Sequence, residues 1–170
     1  NICTAQALLA IMASFYAVWH GPDGLKNIAA HSNQQARRFG AAMIASGRSL
    51  RHESFFDTVV IEAGDDRDNL LATASAAGFN LRPLDGAVAV SFDETIDKNM
   101  LLRLTQALTG KTSLVPAEKC TCTLPTILER HSPYLTHPVF QKYHTETEMM
   151  RYMRQLADRD PLDECPCNVQ

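Results

Sequence analysis

FFDTVVIEAGDDRDNLLATASAAGFNLRPLDGAVAVSFDETIDKNMLLRLTQALTG, residues 55–110, is the stretch whose reading decides the fold. It opens on aromatic and β-branched residues, with Phe55, Val59 and Ile61 on one face, which predicts a strand over 55–63. Asp65 and Asp66 then offer N-caps for a helix over 67–77, which Gly78 ends. Two short apolar runs, 79–84 and 87–92, flank Asp85-Gly86, a dipeptide that tolerates the positive φ of a tight hairpin turn. Thr95 or Asp97 caps a last helix whose Leu101, Leu104 and Leu108 face inward and which Gly110 closes. Strand, helix, hairpin and helix in that order predict an α+β layer, an antiparallel sheet with helices on one face.

Upstream, a helix over 4–19 stops at His20-Gly21-Pro22, where proline cannot continue it. A longer one follows, with Leu25, Ile28, Ala29, Ser32, Ala36, Phe39 and Met43 at helical spacing and with Arg37 and Arg38 solvated beside that stripe. Downstream, residues 111–133 have three prolines and no periodicity and read as a linker. The segment YLTHPVFQKYHTETEMMRYM, residues 134–153, contains two helix starts. Thr136-His137-Pro138 places proline where its missing amide hydrogen costs nothing, and Thr145 with Glu148 forms a capping box ahead of a buried stripe of Met149, Met153 and Leu156.

A chain of 170 residues with 45% apolar residues is long enough for one core, or one core and an appendage. Its net charge of −3, with both signs mixed along the sequence, gives no basic stripe for nucleic acid and no polybasic membrane patch. The longest apolar run, 7–19, falls short of the roughly 18 residues of a membrane span and reads as a buried helix. No basic region and cleavage site of a secretory signal precede it. Cysteine leaves an alternative open, since Cys120 with Cys122 and Cys165 with Cys167 supply four thiolates for a zinc site. Structural zinc sites prefer two to four residues between paired thiolates, so one intervening residue favours reduced thiols, and Cys3 reads as a small hydrophobe on a helix face.

Residues 134–153 resemble the opening of the C-terminal half of the glycine cleavage system P-protein family. NICTAQALLAIMASFYAVWHGPDGLKNIA, residues 1–29, is similar to the late N-terminal half of the same family, and FFDTVVIEA at 55–63 and VSFDET at 90–95 fall between them in family order. The resemblance implies a fold of the aminotransferase-like type I pyridoxal enzymes. On that scheme, residues 1–21 are an inter-domain helix and 22–110 the α+β small domain of the N-terminal half. Residues 111–133 join the halves, 134–163 begin the C-terminal half as a helical segment, and 164–170 form a tail unlike the family.

For the intact family member the resemblance implies pyridoxal phosphate, glycine decarboxylation and transfer of the aminomethyl group to the lipoyl H-protein. It implies a cytoplasmic location in a bacterium or the mitochondrial matrix in a eukaryote. The family's cofactor lysine follows a histidine and precedes a glycine-rich run, a context that Lys26, Lys98, Lys111, Lys119 and Lys142 all lack. The chain therefore reads as a fragment, of a truncated or frame-shifted gene, with no catalytic residue of its own, no cofactor when isolated and no turnover. Its expected partners are the remaining P-protein domains or subunit, and its apolar first helix predicts self-association or a homo-oligomer. A non-catalytic α+β dimerisation module is the rival reading.

Asn1 and Thr4 open the first helix, where unpaired amides could approach the cofactor phosphate, although both residues equally suit plain capping. His137 and His144 are expected at the interface where the two halves assemble the active site, in proton transfer or, as burial statistics favour, as hydrogen-bonded packing. A helix of fewer than 15 residues needs tertiary packing to persist, so residues 134–160 are expected to dock loosely beyond the linker. Limited proteolysis should cut between Lys111 and Arg130 first and leave a resistant core ending near Gly110. A linker that survives as long as the strand at 55–63 would show that boundary to be misplaced.

Overall fold

The computed structural model describes residues 4–112, 116 and 124–159, with the backbone alone for residues 4 and 5. The chain divides into two compact units, one of residues 27–131 and one of residues 1–26 with 132–170. Four α-helices and three strands are present among the described residues: α1 (Thr4–Ala45), β1 (Thr58–Glu62), α2 (Arg67–Ala76), β2 (Arg82–Leu84), β3 (Ala87–Ser91), α3 (Lys98–Thr109) and α4 (Glu146–Ala157). The helix α1 is two arms that meet at Gly21, whose φ of 64° and ψ of −179° are not helical.

In the unit of residues 27–131, the sheet order is β1-β3-β2 and both pairings are antiparallel. The hairpin turns at Asp85-Gly86 as the sequence predicts, Gly86 taking a φ of 61°. Pairing on both sides places β3 in the centre, with Val59 opposite Val90 and Ile61 opposite Val88. These four side chains share one face of the sheet and enter the core together with Phe39 and Met43 of α1, Leu70 of α2 and Leu101, Leu104 and Leu108 of α3. The opposite face buries a smaller cluster of Val60, Ala87 and Ala89 with Leu84 against it. The fold class is therefore α+β with a three-stranded antiparallel sheet.

The strands are shorter than the sequence predicts, for a reason visible in their flanks. Phe55, Phe79, Leu81 and Phe92 insert into the core as side chains outside any strand. Phe92 stacks obliquely on Phe39 with ring centroids 5.2 Å apart. Its amide still donates to the Asp57 carbonyl at 3.0 Å, so the chain stays beside β1 while the ring enters the core.

Capping also departs from expectation at α2. Asp66 sits at the N-cap with helical φ and ψ and makes no side-chain cap bond. Its carboxylate accepts instead from Asn69 Nδ2 at 2.9 Å and Arg48 Nη1 at 3.1 Å, and a 3-10 turn, Gly64–Asp66, leads into the helix. At α3, Asp97 is the cap and accepts from the Met100 amide at 2.7 Å. Thr95 is drawn away by Asp93, whose Oδ1 accepts from its hydroxyl and its amide. Arg37 and Arg38 are half-buried where the sequence reading has them solvated.

Three carboxyls in this unit titrate below their ordinary range. The hydrogen bond from Arg51 holds Glu62 down, the bonds from Asn69 and then Arg48 hold Asp66 down, and the Thr95 hydroxyl and amide do so for Asp93. A depressed folded-state value means that the contribution is complete above the ordinary value of about 4 and is lost as pH falls through the depressed one. Thermal unfolding monitored between pH 7 and pH 2 should therefore show stability falling only below about pH 4. Asp66→Asn should flatten that fall; an unchanged acid limb would remove Asp66 from the account.

Candidate functional site

The chemically richest part of the other unit is the bend in α1. A Pro22 ring cannot donate an amide hydrogen, and Gly21 leaves the helical region, so the last carbonyls of the first arm need partners from elsewhere. The segment after residue 132 supplies one to the first arm and another bond just past the break. The Nδ1 of His144 lies 2.7 Å from the Trp19 carbonyl, and the Tyr134 hydroxyl donates to the Pro22 carbonyl at 2.6 Å. A carbonyl only accepts, so His144 Nδ1 is the donating nitrogen. A Cβ at position 21 would stand 2.8 Å from the Phe140 carbonyl and 3.0 Å from His144 Cε1, in a backbone conformation that only glycine adopts readily.

His137 plays a different part. It is exposed and caps the 3-10 helix Pro138–Gln141, its Nδ1 accepting from the Val139 amide at 3.2 Å. The proline start therefore forms one 3-10 turn where the sequence suggests an α-helical start. The second start is α-helical, with the Glu148 amide donating to the Thr145 hydroxyl at 3.3 Å. Its return bond differs from a full capping box, because the Glu148 carboxylate takes the Thr145 hydroxyl at 2.9 Å.

Between the first arm of α1 and α4 lies an open apolar groove of about 500 Å³, lined by Leu8, Met12, Phe15, Trp19, Met149 and Met153 among others. An aromatic series joins the helices beside it. Tyr152 meets Phe15 edge-on at 6.1 Å and stacks on Tyr143 at 4.3 Å, and Lys142 Nζ lies 5.3 Å from the Tyr143 ring centroid. Only Met149 of the expected α4 stripe is buried; Met153 and Leu156 are 42% and 40% exposed.

No described residues form a cluster of three or more histidine, cysteine or acidic side chains able to hold a metal. Cys3, Cys120, Cys122, Cys165 and Cys167 lie outside the described residues, as do Asn1 and the side chain of Thr4. No described helix is long and apolar enough to cross a membrane. The described lysines do not fit a covalent cofactor site. Lys111 Nζ donates to the Ala45 carbonyl at 2.6 Å, Lys142 lies over Tyr143, and Lys26 and Lys98 are exposed.

The architecture is that of a small α+β domain joined in sequence to helices with an uncovered apolar groove. Residues 1–108 match the family described as "Glycine cleavage system P-protein". The chain is 45% identical over 165 residues to a glycine dehydrogenase (decarboxylating) of Vibrio parahaemolyticus, the match covering 94% of this chain and 17% of the relative. A Gluconobacter oxydans protein of the same description is 44% identical with the same coverage, and one from Cutibacterium acnes is 44% identical over 163 residues, 94% of this chain and 16% of that protein. This chain belongs to the glycine cleavage system P-protein family. It spans about a sixth of the length of these relatives.

Sequence reasoning singled out His144 but not its partner, because the bond to Trp19 joins residues 125 positions apart. Tyr134 was missed altogether; its bond to Pro22 crosses 112 positions and no local pattern signals it. Gly21→Ala should destabilise the unit by about 1–3 kcal/mol and His144→Ala by about 0.5–1.5 kcal/mol. Hydrogen exchange at residues 134–157 provides the measurement. An imidazole spectrum with the proton on Nε2 would contradict the assigned bond.

Proposed function

We propose that this chain acts as a segment of a pyridoxal-phosphate-dependent glycine decarboxylase, in which residues 22–110 are the small domain of the N-terminal half. Residues 1–21 then serve as the inter-domain helix, 111–133 as the connection, and 134–163 as the start of the C-terminal half, with 164–170 a tail. The 45% identity over 94% of the chain to a glycine dehydrogenase (decarboxylating) supports this reading most strongly. The α+β core accords with the small domain of a type I pyridoxal enzyme.

In the whole enzyme, pyridoxal phosphate supplies the electron sink for decarboxylation. The described lysines do not fit that group, so the lysine that would carry it belongs to the polypeptide beyond this segment, and the segment's own part is to shape and support the site. Asn1 and Thr4 at the start of α1 would stand near the cofactor phosphate, and His137 and His144 near the junction of the halves. The partners are the remaining P-protein polypeptide and the lipoyl H-protein, in the bacterial cytoplasm or, in a eukaryote, the mitochondrial matrix.

The test is a graft. A Vibrio parahaemolyticus P-protein whose matching segment is replaced by this chain should retain exchange of the glycine carboxyl carbon with labelled bicarbonate, while the 170-residue chain alone shows none. A folded graft without exchange activity would overturn the proposal.

A further inference from the structure

The first arm of α1 has no polar face. From Thr4 to Trp19 the sequence holds no charged residue. Large apolar side chains, Leu8, Ile11, Met12, Phe15, Tyr16 and Trp19, line one side, and the rest are alanines with Thr4, Gln6, Leu9, Ser14 and Val18. Yet Leu8 is 60% and Leu9 66% exposed, and of the large side chains on the arm only Val18 is buried. A helix apolar all round is normally the interior of a larger body. A transient partner is met by a polar, charged rim around an apolar centre, and this arm offers none.

We infer that the groove between the first arm of α1 and α4 is filled permanently by an apolar face of the remaining P-protein polypeptide, and not by the H-protein, which must come and go. The inference rests on the proposed function. Its occupant follows from two observations: the arm that forms one wall of the groove has no charge to steer a visitor, the charges of the other wall lying on α4, and about five sixths of the relatives' length lies outside the matched segment and is available as the cover. Met12, Met149 and Met153 give the groove an adaptable thioether lining suited to packing against such a surface.

Peroxide footprinting of methionines, read by mass spectrometry, tests this, because thioether oxidation follows exposure. In the chain alone, Met12 and Met153 should oxidise readily and the fully buried Met43 slowly. Adding lipoylated H-protein should change neither rate. In the Vibrio graft, without H-protein, Met12 and Met153 should fall to the slow rate of Met43. Full reactivity of Met12 in a graft that still protects Met43 would overturn the inference, as would protection that appears only with H-protein or that rises with the concentration of the chain alone. If Met43 is unprotected in the graft, the chain is instead co-expressed with the Vibrio polypeptide lacking the matching segment. Co-purification lost on Leu8→Glu then supports the inference, and no co-purification overturns it. Exchange activity of the graft is scored separately, so a protected but inactive graft sinks the proposed function and leaves the groove assignment standing.

Discussion

Within the unit of residues 27–131, everything turns on the central position of β3. Because β3 pairs with both β1 and β2, the two outer strands run parallel to each other, and α2 must carry the chain across one strand position between them. The same pairing sets Val88 and Val90 beside Ile61 and Val59, making one continuous apolar face that a single layer of helices can cover. A register slip of one residue would send Val88 and Val90 to the face that now holds the smaller cluster of Ala87, Ala89 and Val60 with Leu84, so the core itself fixes the register.

Polar contacts tie the helices of this layer at their ends. Arg48 follows the end of α1 and reaches Asp66 before α2 and the Leu108 carbonyl near the end of α3. His31 links α1 to the loop before α3 through the Ile96 carbonyl at 2.9 Å, which requires its Nε2 to be the protonated nitrogen and leaves Nδ1 facing the Gln35 amide. These bonds add little individually, but each satisfies a carbonyl or carboxylate that would otherwise compete for water at the edge of the core.

The elements legible in the sequence were those set by local chemistry. Asp85-Gly86 specified a hairpin and Leu101, Leu104 and Leu108 specified a face, because the information lies within a few residues of where it acts. The choice between Thr95 and Asp97 as cap was not legible, since it depends on Asp93 claiming Thr95 first. Strand ends were overestimated because Phe55, Phe79 and Phe92 have high strand propensity yet serve the core as side chains. At the bend in α1, the break was legible from Gly21-Pro22, whereas its support by Tyr134 and His144 was not: long-range pairing leaves no periodic trace.

The unit of residues 1–26 and 132–170 is built on different terms from its neighbour in sequence. Its described contacts are dominated by hydrogen bonds to a broken helix and by an aromatic series of Phe15, Tyr152 and Tyr143, and among its described residues the buried large apolar side chains are Val18 and Met149. Hydrogen bonds of this kind fix geometry more than they stabilise, since each replaces a bond to water. Apolar burial is what normally offsets the entropy of ordering a chain, and here Leu8, Leu9, Ile11 and Met12 of the first arm of α1 remain in solvent. The arm is thus shaped with high local precision at Gly21 while its hydrophobic surface is left unspent, which is the arrangement of a part whose form is set internally and whose stability is completed by contact with something else.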